Sequence, residues 1–451
     1  MSMDMTKGKP IRLLITFALP LILSFIFQQL YTLCDSIIVG QLLGEKAFAA
    51  TSSSAYLDWF PLSMIIGLTR GFGVLLAQRY GAGDSKGFRR ALSMSIMLAA
   101  ALAVFLTVLG VCFLQPFLRV LKTPPELFDY TASYLRVLWL GLIVTALQNM
   151  FDTALRALGD SRTPLFSLIL STILNIALDY LFMAGFRMGV ESAALATVLS
   201  RVASITFSLW RLRRISFAFP AKPDFKPHAA TIRSLLRLGI PPLLSFSVVA
   251  TGELAVQTAL NLCGVAFVTG VTAAKRYYSL MNIIGSSLEG SIATFVGQNT
   301  GAGQMRRVFD GTRTAVWMSI VTSIITTALV ALFSRQLILL FLPQGSAEVL
   351  RIGIDALRAQ AILLPGLYLL CLYRAAIQGM GNTIIPMLSG FLELALRFAC
   401  IWALPLLWGR EGLYFINAVT WAVLAIMLTT AYYVIRSRIQ KRLVAQEMFA
   451  P

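Results

Sequence analysis

The chain has 451 residues, of which 57% are hydrophobic and 13% charged, against about 25% charged in an average soluble domain. Its 38 Lys and Arg outnumber its 20 Asp and Glu for a formal net charge of +18, but the basic residues lie between apolar stretches and form no recognisable nucleic-acid module. An ordinary soluble domain, a disordered chain and a nucleic-acid binder are thereby excluded, and an all-α polytopic membrane protein remains.

A membrane-crossing helix needs about 20 mostly apolar residues, and about twelve such spans follow one another along the chain. The first, over 13–38, comes after Lys7, Lys9 and Arg12 with no small-residue cleavage site behind it, and reads as a retained helix rather than a removed signal. Pro20 inside it removes a backbone hydrogen bond and can kink the helix, either as a bending point or as a static kink. Further along, Gln28, Tyr31 and Asp35 stand at i, i+3 and i+7 and so share one face. The second and third spans, 47–78 and 91–118, are joined through Gly81 and Gly83, which read as helix caps and tight turns because no strand precedes them to make a phosphate cradle. Arg70 in the second span is unexplained at its apparent depth.

The fourth span, 130–158, carries Asn149, Asp152 and Arg156 at the same i, i+3, i+7 spacing, and Asp152 with Arg156 has the plain reading of an ion pair. In the fifth, 164–185, Asn175 and Asp179 are four apart on one face, and Thr197 lies inside the sixth, 190–210. A polar connector of 211–237 follows, with Pro220, Pro223, Pro227 and the single histidine, His228. The remaining spans are 239–262, 266–297, 313–342, 354–378, 386–408 and 412–435. Glu253 falls in the seventh, Arg276 and Glu289 in the eighth, and Glu393 with Arg397 forms an i, i+4 pair in the eleventh. This divides the chain into an N-terminal lobe of 1–210, a cytoplasmic connector of 211–237, and a C-terminal lobe of 238–451 ending in a short basic tail.

One histidine leaves no room for His-based metal sites, Ser/His/Asp triads or histidine pH switches. The 5 cysteines are odd in number and contain no CxxC pair, so they read as apolar packing residues. An even span count puts both termini on one side, and that side collects the basic clusters around 7–12, 79–90, 211–237, 306–313 and 436–442. The other side has only Lys46, Arg119, Lys122, Arg187, Arg335, Arg351 and Arg410. The termini are therefore expected in the cytoplasm.

The chain also repeats itself. Leu19-Pro20-Leu21 recurs as Ile240-Pro241-Pro242 at an offset of 221, Gly81-Ala82-Gly83 as Gly301-Ala302-Gly303 at 220, and Gly159-Asp160 as Gly381-Asn382 at 222. Six spans per repeat insert both halves the same way up, which predicts two six-helix lobes related by a pseudo-two-fold axis along the membrane normal, with a substrate cleft between them. The acids break that symmetry. Asp35 maps to Val256, Asp179 to Ile401 and Asn175 to Arg397, so a carboxylate pair exists in the first half alone. Packing needs would apply to both halves, so the asymmetry points to function. Two carboxylates with amide and hydroxyl oxygens suit a hard cation. They suit a proton equally, since neutralising one acid relieves its repulsion of the other. A structural polar network is the alternative.

Pro20 to Gly40 (PLILSFIFQQLYTLCDSIIVG), Gln78 to Gly83 (QRYGAG), Leu155 to Pro164 (LRALGDSRTP), Asn175 to Asp179 (NIALD) and Gly297 to Gly303 (GQNTGAG) together resemble the multidrug and toxic compound extrusion (MATE) family of the wider flippase superfamily. The resemblance implies alternating access in two six-helix lobes, with antiport of amphipathic, often cationic organic compounds against Na⁺ or H⁺. It implies a first-lobe cation site at Asp35, Asn175, Asp179 and Thr197, which would be the place for Na⁺ if Na⁺ is the ion. It also implies a bending proline at Pro20, cleft-facing Gln28, Tyr31, Asn149 and Asp152, and Glu253 as a helix-seven acid lining the second-lobe side of the same cleft. No cofactor is expected apart from the coupling ion. The expected partners are a small-molecule substrate, that cation and the bilayer of the inner membrane, with the chain functional as a monomer. A lipid or lipid-linked saccharide flippase of the same superfamily is the alternative. A membrane enzyme lacks a supporting loop cluster, and a channel lacks a filter-like repeat.

Overall fold

A membrane interior offers the backbone no hydrogen-bond partners, so apolar runs of this length close their bonds within helices. The computed structural model describes residues 3–120, 123–215 and 217–448, and its regular structure is entirely helical. Lys122, counted above among the basic residues of the sparser side, lies outside these. The helices are α1 (Pro10–Leu43), α2 (Glu45–Gly81), α3 (Ser85–Val120), α4 (Pro125–Leu140), α5 (Leu142–Ala157), α6 (Arg162–Tyr180), α7 (Glu191–Arg213), α8 (Ala229–Asn261), α9 (Val265–Gly301), α10 (Met305–Phe341), α11 (Ala347–Ile362), α12 (Leu364–Gly379), α13 (Ile384–Trp408) and α14 (Ile416–Met448). At 37 residues, α2, α9 and α10 are about 55 Å long at 1.5 Å per residue. They therefore reach well beyond a hydrocarbon core of about 30 Å.

Eight runs are long and apolar enough to cross a membrane, and ten when each of two bent pairs counts as one. One of the eight, Ile384–Ala445, contains both α13 and α14 around a short turn. Helix α9, along which Lys275, Arg276 and Glu289 lie, is a further helix of spanning length. With these, the twelve expected spans are all present. Many large apolar side chains remain exposed, among them Leu332, Leu340, Trp402 and Leu406. That is the surface of a protein whose solvent is lipid.

Two expected spans, 130–158 and 354–378, are not continuous. The pair α4/α5 bends by 48° at Gly141, and α11/α12 by 45° at Leu363. Each break has a local cause. A Cβ on Gly141 would collide with Val198, so glycine permits the close approach there. Pro365, in the first turn of α12, has no N–H for the carbonyl of Ala361. The hydroxyl of Thr327 on α10 donates to that carbonyl instead, at 2.7 Å. At the first break Thr107 on α3 donates to the carbonyl of Trp139, also at 2.7 Å. The two threonines are 220 residues apart, so the repeat extends to how each break is satisfied.

The repeated glycines likewise share a backbone state. Gly44 and Gly264 have φ of 83° and 89°, Gly83 and Gly303 of 70° and 72°, and Gly159 and Gly381 of 79° and 90°. These left-handed positions end helices, which confirms the capping reading over a phosphate cradle.

The chain separates into two compact units: Met1–Asp4 with Leu19–Phe246, and Met5–Ala18 with Ser247–Pro451. The divisions fall inside α1, beside Pro20, and inside α8, just beyond Pro242. The connector 211–237 belongs to the first unit and is packed, not loose. Ala218 and Leu235 are fully buried, Arg89 pairs with Asp224 at 3.3 Å, and His228 Nδ1 accepts the N–H of Thr231 at the start of α8. In the second unit the N–H of Met5 donates to Gln298 Oε1 at 2.8 Å, and Asn299 Nδ2 donates to the Met5 carbonyl at 3.0 Å. The GQNTGAG stretch thus anchors the segment leading into α1.

Candidate functional site

The first unit brings together three of the helix faces read from the sequence. Helix α1 contributes Tyr31 and Asp35, α6 contributes Asn175 and Asp179, and α7 contributes Thr197. Asn175 and Asp179 have no exposed surface, Thr197 is nearly buried, and Asp35 is half-buried. The Tyr31 and Thr197 hydroxyls are 2.9 Å apart, linking α1 to α7. The carboxyls of Asp35 and Asp179 lie beside each other and interact electrostatically. No donor reaches Asp35 Oδ1, either oxygen of Asp179, or the amide oxygen of Asn175. Two carboxylates accept but cannot donate, so a bond between them needs a shared proton or a cation between them. Apolar residues Ile38, Val39, Met183, Val190 and Ala193, on or next to the same helices, form a buried cluster.

Three further groups converge here that sequence reading passed over. Arg201, one turn beyond Thr197 on α7, acts electrostatically on Asp35 and Tyr31, and also on Asp58 of α2 and Tyr134 of α4. Its Nη1 is held by the hydroxyl of Thr145 on α5. The i, i+4 spacing of Thr197 and Arg201 was the available signal. Arg201 thus acts on two carboxyls, Asp35 and Asp58, with Asp179 beside Asp35, which leaves net negative charge when all three acids are ionised. Among the described residues, no group of three or more His, Cys, Asp or Glu has the form of a metal site. Carboxylate, amide and hydroxyl oxygens are the donor types that hard ions favour.

The other sequence candidates lie elsewhere. Gln28 is exposed on α1 and is not among the groups that meet the acid pair. Asn149 donates to the carbonyl of Thr145 in its own helix, at 2.9 Å. Asp152 accepts a long bond of 3.5 Å from Ser208 and sits beside Arg156, which in turn is near Arg70. Arg70, unexplained in the sequence, lies 4.9 Å from the ring centroid of Phe246. Pro20 lies within an unbroken α1, where Ser24 donates to its carbonyl at 2.8 Å. Glu253 is in the second unit and is ion-paired with Arg397 at 2.8 Å. The i, i+4 pair Glu393–Arg397 forms as expected, at 3.0 Å. Arg374 joins it, reaching Glu393 at 3.1 Å, which the sequence reading did not anticipate.

Comparison with known proteins agrees with this architecture. The MatE family model matches the chain twice, over residues 20–181 and 241–402, two stretches set 221 residues apart. The chain is 30% identical over 347 residues to YpnP of Bacillus subtilis, described as a probable multidrug resistance protein, with 76% of this chain and 77% of that one covered. It is 27% identical over 393 residues to NorM of Thermotoga maritima, described in the same words, with 84% and 82% covered. A crystal structure of MATE in complex with MaL6 has the same fold, with a TM-score of 0.89 over 97% of this chain and 99% of that one at 23% identity.

Proposed function

The chain belongs to the MatE family, and we propose on that premise that it exports amphipathic, often cationic organic compounds by antiport against Na⁺ or H⁺. It is a multi-pass multidrug efflux transporter and not an enzyme. The observation that carries the coupling is the Asp35–Asp179 pair, whose buried oxygens lack protein donors, with Asn175 and Thr197 as further oxygen ligands. A cation or proton reaching the pair would relieve the repulsion between the two carboxylates. That would change how tightly α1 is held to α6, while the Tyr31–Thr197 bond carries the change to α7. Helix α1 can answer at Pro20, where the missing backbone bond makes bending cheaper. Gln28, Asn149 and Asp152 are proposed to meet the substrate rather than the ion.

The basic clusters on one side of the chain favour cytoplasmic termini in the inner membrane. A monomer is the proposed working unit. The driving force is adequate. One charge falling through 100 mV yields about 2.3 kcal/mol, and a tenfold ion gradient adds about 1.4 kcal/mol. Purified protein in liposomes, given a dye panel with Na⁺ and H⁺ gradients imposed one at a time, tests the proposal. Dye movement driven by one ion supports it. Dye movement indifferent to both gradients, or scrambling of labelled lipid instead, refutes it.

A further inference from the structure

The second unit holds a chain of six charges alternating in sign, contributed by four helices. Lys275 on α9 lies beside Glu253 on α8 and donates to Gln257 Oε1 at 2.8 Å. Glu253 pairs with Arg397 on α13 at 2.8 Å, Arg397 with Glu393 at 3.0 Å, Glu393 with Arg374 on α12 at 3.1 Å, and Arg374 lies beside Glu289 on α9. Tyr278 on α9 and Cys371 on α12 are the other titratable groups facing it. Positive and negative groups balance, and the Arg397 and Glu393 side chains are only 3% and 6% exposed.

The repeat shows where this chain sits. At an offset of 222 Arg397 stands at the position of Asn175, and at 221 Gly252 stands at the position of Tyr31. A Cβ at Gly252 would press on Arg397 Cδ at 3.1 Å, so the glycine makes room for the arginine stem where the first unit has a tyrosine ring. A guanidinium between two carboxylates therefore occupies the position at which the first unit presents oxygen ligands. Arg397 Nε and Nη1 find no acceptor. That leaves one nitrogen, Nη2, making both ion pairs, so Arg397 serves the acids as a point charge rather than as a forked donor.

We propose that the Arg397 guanidinium is a tethered cation filling a second, latent monovalent-cation site formed by Glu253 and Glu393. On the coupling reading above, transport would then draw on the first-unit site alone. Without Arg397 the cluster would be one positive charge short, and a buried uncompensated acid must recruit a cation or a proton. Glu253, with its side chain 45% exposed, gives such an ion a way in.

The test uses purified full-length D35N protein, in which the first-unit acid pair is broken. Its melting temperature is compared with those of D35N/R397Q and D35N/R397K across Na⁺, K⁺, guanidinium and choline at fixed ionic strength, and across pH 5–8. D35N/R397Q is expected to gain several degrees in a small cation over choline, or with falling pH. D35N and D35N/R397K should show no such dependence, and adding E253Q to D35N/R397Q should remove it. If D35N/R397Q does not fold, D35N/R397Q/E253Q, in which charge is balanced again, is expected to be recovered as a monodisperse protein. A flat cation and pH response in D35N/R397Q overturns the proposal, as does a response that survives E253Q. So does a loss of folding that E253Q does not mend, because Arg397 would then be needed for packing and not as a counter-ion. A cation response already present in D35N, where Arg397 is in place, overturns it as well.

Discussion

Replacing Asp179 with Asn tests the coupling site most directly. Asp179 has no exposed surface, and neither of its carboxylate oxygens receives a donor. Asparagine keeps the shape, removes the charge and adds an N–H₂ that can donate to Asp35. The pair would then be satisfied by protein alone, as though an ion were permanently in place. The loss follows from the driving force. About 2.3 kcal/mol from 100 mV and about 1.4 kcal/mol from a tenfold ion gradient together sustain a substrate ratio of about 500 for a neutral compound, at 1.36 kcal/mol per decade. D179N is expected to lower the ion-driven dye ratio in liposomes from that ceiling to near 1, while equilibrium dye binding stays within a few-fold of wild type. D35N should behave alike. A D179N protein that still concentrates dye tenfold or more under the same gradient would refute the coupling role of the acid pair.

Y31F removes the 2.9 Å bond to Thr197. At about 0.5–1.5 kcal/mol for such a bond, the half-saturating ion concentration for transport should shift by roughly 2- to 12-fold with dye binding unchanged; an unaltered ion dependence argues against the α1–α7 link. T107V and T327V each remove the hydroxyl that bonds a bend carbonyl from a neighbouring helix. Each should cost about 0.6–1.7 kcal/mol, the range for hydrogen bonds between membrane helices, and the double variant should show near-additive loss of melting temperature because the sites share no partner. Asp84, in the turn between α2 and α3, is held below the usual carboxylate range by the Gly87 N–H at 2.8 Å and by Arg79. A depressed acid stabilises above its unfolded pKa and loses that contribution as pH falls through the folded value. D84N should therefore melt below wild type at pH 7, and the gap should close toward pH 3.

Hydrophobic run length alone located the membrane helices, since a stretch that must hide its backbone from lipid has little choice but to coil. Period and offset did the rest at the local level. Asn175 and Asp179 share a face because they are four apart, and the repeat predicted which glycines would take the same backbone state. The bends were harder to read. Pro365 was visible, but that Gly141 marks a break depends on Val198, on another helix, lying against it.

The candidate site divides in the same way. Sequence spacing placed Asp35 on one helical face and Asp179 on another, and the scarcity of intramembrane acids made both conspicuous. That these faces meet, and that Arg201, Asp58 and Tyr134 arrive from three other helices, depends on how the helices are rotated and packed. The same holds for Arg374, an ordinary residue of an apolar span until α12 and α13 bring it to Glu393. The sequence by itself determined the number of membrane spans, the internal duplication and the face each polar side chain occupies, because these follow from local periodicity. Which faces meet, and so which acids lie beside a guanidinium and which beside another acid, only the tertiary structure decided, because electrostatic pairing at membrane depth depends on distances of a few ångströms between residues tens to hundreds of positions apart.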